Sequence, residues 1–317
     1  MVETYGLAGV EALRLHANGI ELEAVAAGPA DGPLVVLLHG FPEFWYGWRH
    51  QIAPLAAAGL RVLVPDQRGY NRSSKPVGRR AYSLGTLADD VIGLASALGR
   101  ERFAVIGHDW GGVVAWHLAA RNQDRIERAA ILNAPHPATL QRYMLAHPSQ
   151  AARSWYVGFF QSPLLPELVL GAGDFAGLRR ALDATARPGT FTEEDARRYR
   201  AAWAQPGALT AMLNWYRALP LAAGSVRSTR VRAPVRVIWG DRDVYLERGL
   251  AKAGLALCDR GEVFHFGSAT HWVQHDEPER VNQLLAEFLA WERTGRGGRN
   301  GRGTGGAEPV ETGCSGR

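Results

Sequence analysis

Apolar and polar residues alternate on either side of Asn18-Gly19, with Leu13 and Leu15 before it and Ile20, Leu22 and Val25 after. Asn-Gly between two alternating runs predicts a β-hairpin over residues 10 to 26, because a tight hairpin turn needs residues that accept positive φ. The pattern then changes. Leu34-Val35-Val36-Leu37-Leu38 is apolar on both faces, as a parallel strand covered by helices on both sides must be. A helix over about Trp48 to Ala58 leads to a second buried run, Val62-Leu63-Val64. Thr86 and Asp89 have the spacing of a capping box, and Leu87, Val91, Leu94 and Leu98 form a helical stripe that Gly99 closes. Val105-Ile106 reads as a strand, Val113 to Leu118 as a helix, and Ala129-Ala130-Ile131-Leu132 as a strand. Strands alternating with helices predict the α/β class, a mostly parallel central sheet flanked by helices with right-handed crossovers.

From about Pro135 to Ser228 the alternation stops, and the chain becomes helical in tone, rich in aromatic residues and punctuated by prolines. This segment, 135–228, reads as a helical cap inserted between a first part of the core, 1–134, and a second, 229–293. In the second part Val235 to Trp239 and Val263 to Phe266 are strands. Pro278 opens a terminal helix whose stripe is Val281, Leu284, Leu285, Phe288 and Leu289. Residues 294–317 are rich in Gly and Arg without periodicity and read as a disordered tail.

Chemistry concentrates at the ends of predicted strands. Residues 103 to 115 read strand, sharp turn, helix around Gly107-His108-Asp109-Trp110-Gly111, which has the nucleophile-elbow spacing with aspartate in place of serine. Asp243 follows the Val235 strand and His271 the Val263 strand. Nucleophile, acid, histidine is the order this fold class uses for a triad. Other readings of nearby residues are structural. Pleat alternation turns His108 away from Asp109 and toward a buried role, His39 shapes its loop, and spacing favours Asp243 over Asp241 as the acid. His271, His275 and Asp276 lack the second histidine pair a metal site would need, so no metal is expected.

These pieces together resemble an epoxide hydrolase of the α/β-hydrolase superfamily over residues 10 to 293. The matching stretches are His39-Gly40-Phe41-Pro42-Glu43, Arg68-Gly69-Tyr70 with Ser73, Gly107 to Gly112, Gly240-Asp241-Arg242-Asp243, and His271-Trp272 with Glu277-Pro278. Leu213-Asn214-Trp215-Tyr216-Arg217 is similar to the family's cap-tyrosine motif, and Tyr156 falls where its other cap tyrosine is expected. Asn71 departs from the glycine more usual in that loop.

The resemblance implies hydrolysis of a small lipophilic epoxide to a vicinal diol without a metal or organic cofactor. A carboxylate nucleophile displaces a leaving group at saturated carbon and leaves an alkyl ester, which Asp109 would form and water activated by His271 with Asp243 would cleave. The elbow supplies the backbone N–H of Trp110 for the oxyanion, and the resemblance adds that of Phe41. Tyr156 and Tyr216 would donate to the epoxide oxygen. A haloalkane or haloacid dehalogenase uses the same nucleophile but releases a halide that needs no acid. A non-catalytic ligand-binding scaffold has no use for a complete triad.

Composition adds bounds to this picture. The chain has 317 residues, 46% of them hydrophobic, enough for a packed core, and no run of eighteen apolar residues. No signal peptide is visible, and two cysteines, Cys258 and Cys314, make no disulfide framework, so a cytoplasmic location is expected. The net charge of +5 is small for the length and dispersed among acids, which argues against a nucleic-acid partner. The Gly/Arg tail lacks the interleaved aromatics of RNA-binding segments. The pattern is compatible with a monomer or a homodimer.

Overall fold

A computed structural model describes residues 3–222 and 230–290. The N-terminal hairpin forms where the alternation predicts it, as β1 (Val10–Ala17) and β2 (Ile20–Ala27), with Asn18 at φ 49° and Gly19 at φ 75° in the turn. The remaining strands are β3 (Leu34–Leu38), β4 (Arg61–Pro65), β5 (Phe103–His108), β6 (Ile126–Leu132), β7 (Val235–Gly240) and β8 (Gly261–Phe266). They make one sheet of eight strands in the order β1-β2-β4-β3-β5-β6-β7-β8, in which β1 to β2 and β2 to β4 are antiparallel and all other pairs parallel. Every residue of β3, β5 and β7 is buried, the expected result of helices on both faces.

The helices are α1 (Arg49–Ala57), α2 (Leu84–Ala97), α3 (Trp110–Arg121), α4 (Pro137–Ala146), α5 (Pro148–Arg153), α6 (Trp155–Phe159), α7 (Leu165–Thr185), α8 (Glu193–Trp203), α9 (Ala208–Arg217), α10 (Gly249–Leu255), α11 (Val273–Asp276) and α12 (Pro278–Ala290). The α1 helix packs on α12 and α2 on α3. Helix α7 is broken at Ala172 to Phe175, where Gly173, Asp174 and Phe175 take positive φ.

One detail departs from the sequence reading. The cap of α2 is Ser83, not Thr86: Ser83 has extended backbone, and its hydroxyl accepts from the Thr86 N–H at 3.3 Å. Thr86 lies inside the first turn, where a hydrogen bond joins its hydroxyl to Ser83 Oγ at 2.7 Å, so Asp89 has no cap to complete.

Helices α4 to α9 fill the interval between β6 and β7 and connect to the strand-end loops through buried aromatics. Tyr199 on α8 donates to Glu43 Oε1 at 2.6 Å, Trp203 Nε1 to the Pro42 carbonyl at 2.6 Å, and Trp215 Nε1 on α9 to the Arg68 carbonyl at 3.0 Å. Such side chains bury about 150–250 Å² each while their single polar atom finds a partner, so they fix the insertion in distance and direction. The Arg68 loop is itself anchored by a buried two-pronged pair with Asp90, at 2.7 and 2.6 Å. Asn71 in that loop stands at φ 43° and donates to Asp66 Oδ2 at 2.8 Å. Asparagine tolerates this left-handed conformation, which accounts for its replacing the usual glycine.

Among the described residues no helix is long and apolar enough to cross a membrane. The tail from Thr294, Cys314 and the last residues assigned to the insertion lie outside the described residues.

Candidate active site

The site begins with a backbone constraint at Asp109. Strand β5 ends at His108 and α3 starts at Trp110, leaving one residue to reverse the chain, and Asp109 takes φ 50° and ψ −122° to do so. The turn closes only because its neighbours lack side chains: a Cβ on Gly107 would stand 2.2 Å from the Gly111 carbonyl oxygen, and one on Gly111 2.0 Å from that of Leu38. A non-glycine residue held in this region stores strain, and it presents its side chain rigidly beyond the strand end.

The two oxygens of Asp109 then meet different partners. Oδ1 accepts the backbone N–H of Phe41, from the loop after β3, at 2.8 Å. Oδ2 faces His271 Nε2 at 3.6 Å, beyond hydrogen-bond range yet close for two charges. The N–H of Trp110, the second expected oxyanion donor, opens α3 and has no acceptor within the helix.

His271 comes from the loop after β8, and its Nδ1 is 2.7 Å from Asp243 Oδ2. The Asp243 carboxylate is buried and fully engaged. Oδ1 accepts the N–H groups of Tyr245 and Leu246 at 2.8 and 3.0 Å, and Oδ2 also accepts from Asn133 Nδ2 at 2.8 Å. Burial opposes its charge, but His271 and these donors hold its carboxyl below the usual carboxylate range. Burial likewise opposes protonation of His271. Asp243 and, after it, Asp109 overcome that and push the imidazole up to about 10. Asp241, the competing acid, is instead paired with His265 Nδ1 at 2.7 Å, away from His271.

Tyr216 on α9 and Tyr156 on α6 meet at the same point. Their ring centroids are 6.0 Å apart, and Tyr216 stands edge-on to Phe41 at 5.3 Å and Trp110 at 5.1 Å, the two residues flanking the carboxylate. Burial first, and then the charge of Asp109, push both phenols well above their ordinary range, so both are protonated beside Asp109. Phe160 packs on both rings, at 5.7 Å from Tyr156 and 4.9 Å from Tyr216. All seven residues singled out in the sequence are thus brought together.

Two supports were not singled out in the sequence, Asn133 and the pairing of Glu43 with His275. Asn133, at φ 39° after β6, donates to both Asp243 and the Gly240 carbonyl and accepts the Gly240 N–H at 2.8 Å, which ties the acid to its strand. Beneath the site Glu43 accepts from Tyr199 and Gln274 and pairs with His275 Nε2 at 2.8 Å. Burial raises the Glu43 carboxyl, but His275 and His108 bring it well below its usual value. His108 is buried as expected, and its Nε2 lies 2.9 Å from the His271 carbonyl oxygen, while Nδ1 faces Glu43 at 3.5 Å. His39 accepts the Gln67 N–H at 3.1 Å and shapes its loop. His271, His275 and Asp276 point to separate partners, Asp276 accepting from Thr270 at 2.7 Å, and among the described residues no metal-ligand cluster forms.

Comparison with known proteins identifies the family. The model of the α/β hydrolase fold family matches residues 33–278. AB hydrolase superfamily protein YfhM of Bacillus subtilis is 48% identical over 281 residues, covering 89% of this chain and 98% of that one. Epoxide hydrolase 4 of Mus musculus is 35% identical, covering 88% of this chain and 79% of that one. Among solved structures, an epoxide hydrolase of Bacillus megaterium in complex with an inhibitor superimposes with a TM-score of 0.81 at 28% identity, over 87% of this chain and 99% of that one.

Proposed function

The chain belongs to the epoxide hydrolases of the α/β-hydrolase superfamily, and on that premise we propose that it adds water to an epoxide, through an ester on Asp109, to give a vicinal diol. The observation that carries this reading is the division of the Asp109 carboxylate: Oδ1 is held by the Phe41 N–H at 2.8 Å, and Oδ2 is turned toward His271 at 3.6 Å. Oδ2 is the free nucleophile. It attacks an epoxide carbon, the ring C–O bond breaks, and the departing oxygen takes a proton from Tyr216 or Tyr156 to become the first hydroxyl.

Alkylation removes the charge of Asp109, and two groups respond. Each phenol loses a repelling neighbour and becomes more acidic as the alkoxide forms. His271 loses one of the two carboxylates that hold its proton, yields that proton to the phenolate, and so becomes able to act as a base. It then takes a proton from water, whose oxygen adds to Asp109 Cγ, and the oxyanion on Oδ1 is stabilised by the N–H groups of Phe41 and Trp110. Cleavage of the Cγ–Oδ2 bond releases the second alkoxide, which takes the proton from His271. The new carboxyl of Asp109 returns its proton to His271, and one water has been added. Water and the side chains of this chain supply every atom and proton of the scheme.

Residues 135–228 act as the cap, carrying the two acids to the nucleophile. The aromatic wall of Phe41, Trp110, Tyr156, Phe160 and Tyr216 favours a small lipophilic substrate. The enzyme is read as cytoplasmic, in keeping with Cys258 being a buried free thiol. Incubation with styrene oxide tests the reaction by diol formation, with a bromoalkane in parallel. Diol from the epoxide, and a hydroxyalkyl adduct on Asp109 in the His271→Gln variant, are the expected results. Bromide release without diol would make the enzyme a dehalogenase, and a verified substrate that leaves no adduct would exclude the ester.

A further inference from the structure

The two phenols come from different helices, and one of those helices cannot hold itself in place. Helix α6 has five residues, too few for its own hydrogen bonds to fix it, and its first residue, Trp155, is largely exposed. Tyr156 therefore depends on what holds the two ends of α6: its start follows Arg153, which donates to the Asp243 carbonyl at 2.9 Å, and its end is held by the residue after Tyr216. Arg217 Nε donates to the Phe160 carbonyl at 2.9 Å and Nη2 to the Ser162 carbonyl at 2.8 Å. Its Nη1 and Nη2 also bind Glu167 at 2.6 and 2.9 Å, at the start of α7. A bond runs the other way, from Gln161 Nε2 to the Tyr216 carbonyl at 2.9 Å. Residues 160 to 162 are thus laced to residues 216 and 217 from both sides, and the Phe160 N–H is bonded to the Tyr156 carbonyl at 2.9 Å.

We propose that Arg217 is a positioning residue for ring opening: clamped by Glu167, it locks the end of α6 to the end of α9 and sets the separation of Tyr156 and Tyr216. This rests on the reading of those two tyrosines as the acids. Both phenols must reach one epoxide oxygen at hydrogen-bond distance, and a misplacement of about 1 Å costs about 100-fold in rate. Only an arginine meets the geometry, because two carbonyls and a two-pronged carboxylate require a planar fork of donors that lysine lacks.

The test is single-turnover kinetics on the full chain with styrene oxide, following formation and decay of the Asp109 ester by rapid quench and intact mass. Arg217→Lys keeps the charge and loses the fork. It is expected to slow ester formation about 10- to 100-fold while leaving ester decay within about twofold, and to add little further loss to Tyr216→Phe. Gln161→Ala, which removes one neutral bond and leaves the ion pair, carries the same test if the first variant does not fold, with a slowing of about 3- to 10-fold expected. Formation as fast as wild type in the folded variants, or formation and decay falling together, overturns the proposal. Failure of the underlying reading looks different: a wild-type enzyme that gives no ester, or a Tyr216→Phe variant that opens the ring at the wild-type rate.

Discussion

Asp109→Asn isolates the event on which the two-step scheme turns. The substitution keeps the shape of the side chain and leaves an amide oxygen to accept the Phe41 N–H, but removes the charge 3.6 Å from His271 Nε2. It therefore reproduces, in a stable protein, the electrostatic state of the ester. At an effective dielectric near 20, a unit charge at that distance is worth about 4.6 kcal/mol, or about 3.4 pKa units. The Asp109 side chain is 17% exposed, so pocket water screens part of this, and a fall of about one to three units is expected. His271 stands at about 10 with both carboxylates charged. The variant should bring its titration to roughly 7 to 9. Imidazole NMR measures this directly, with the signal assigned by its loss in His271→Gln. Linkage gives a second reading. A raised imidazole pKa contributes stability below the unfolded value, lost as pH rises through the folded value, so that loss should be smaller and complete at lower pH in the variant. If His271 titrates at the same pH in both proteins, the Asp109 charge does not reach it and alkylation cannot release the base.

Other consequences are equally direct. Asp243→Asn leaves the imidazole in the wrong tautomer and should slow ester hydrolysis about 10⁴-fold, as the same exchange does in a serine triad, with a smaller effect on ester formation, measured by adduct accumulation. Tyr216→Phe should reduce ester formation about 100-fold and leave decay of the ester unchanged in the same single-turnover traces, and Tyr156→Phe should act on the same step. Glu43→Ala strips His275, Tyr199 and Gln274 of their common acceptor and should cost about 3–5 kcal/mol at pH 7 in urea unfolding. Because the Glu43 carboxyl is held well below its ordinary 4.5, its contribution is present above that value and lost as pH falls through the folded pKa, so the difference from wild type should shrink in acid.

That Asp109, Asp243 and His271 would meet was legible because each follows a strand recognisable by its apolar run, and a parallel sheet brings all its carboxyl ends to one edge. Phe41 and the two tyrosines required the family resemblance, since no periodicity distinguishes a phenol aimed at a nucleophile from one that fills a core. The supports were illegible for a different reason. Glu43 and His275 are 232 residues apart, and nothing local pairs them. A trace of a signal existed: Glu43 is a lone charge within Phe41-Pro42-Glu43-Phe44-Trp45, and a charge that buries must find partners. Asn133 is likewise the one polar residue ending the apolar run of β6. The capping of α2 was misplaced because Ser83 and Thr86 are both competent caps, and only the extended backbone at Ser83 decides between them.

The hydrogen bond from Phe41 to one oxygen of Asp109 gives the two atoms of that carboxylate different histories. In the proposed scheme Oδ1 stays in the protein, whereas Oδ2 departs in the diol and is replaced from solvent at every cycle. In heavy-oxygen water the first diol released by each molecule carries an old protein oxygen, and Asp109 gains one heavy atom and no more unless its carboxylate rotates. The isotope count at this residue is therefore a clock for rotation about its Cβ–Cγ bond, and a worn enzyme differs from a new one by a single atom.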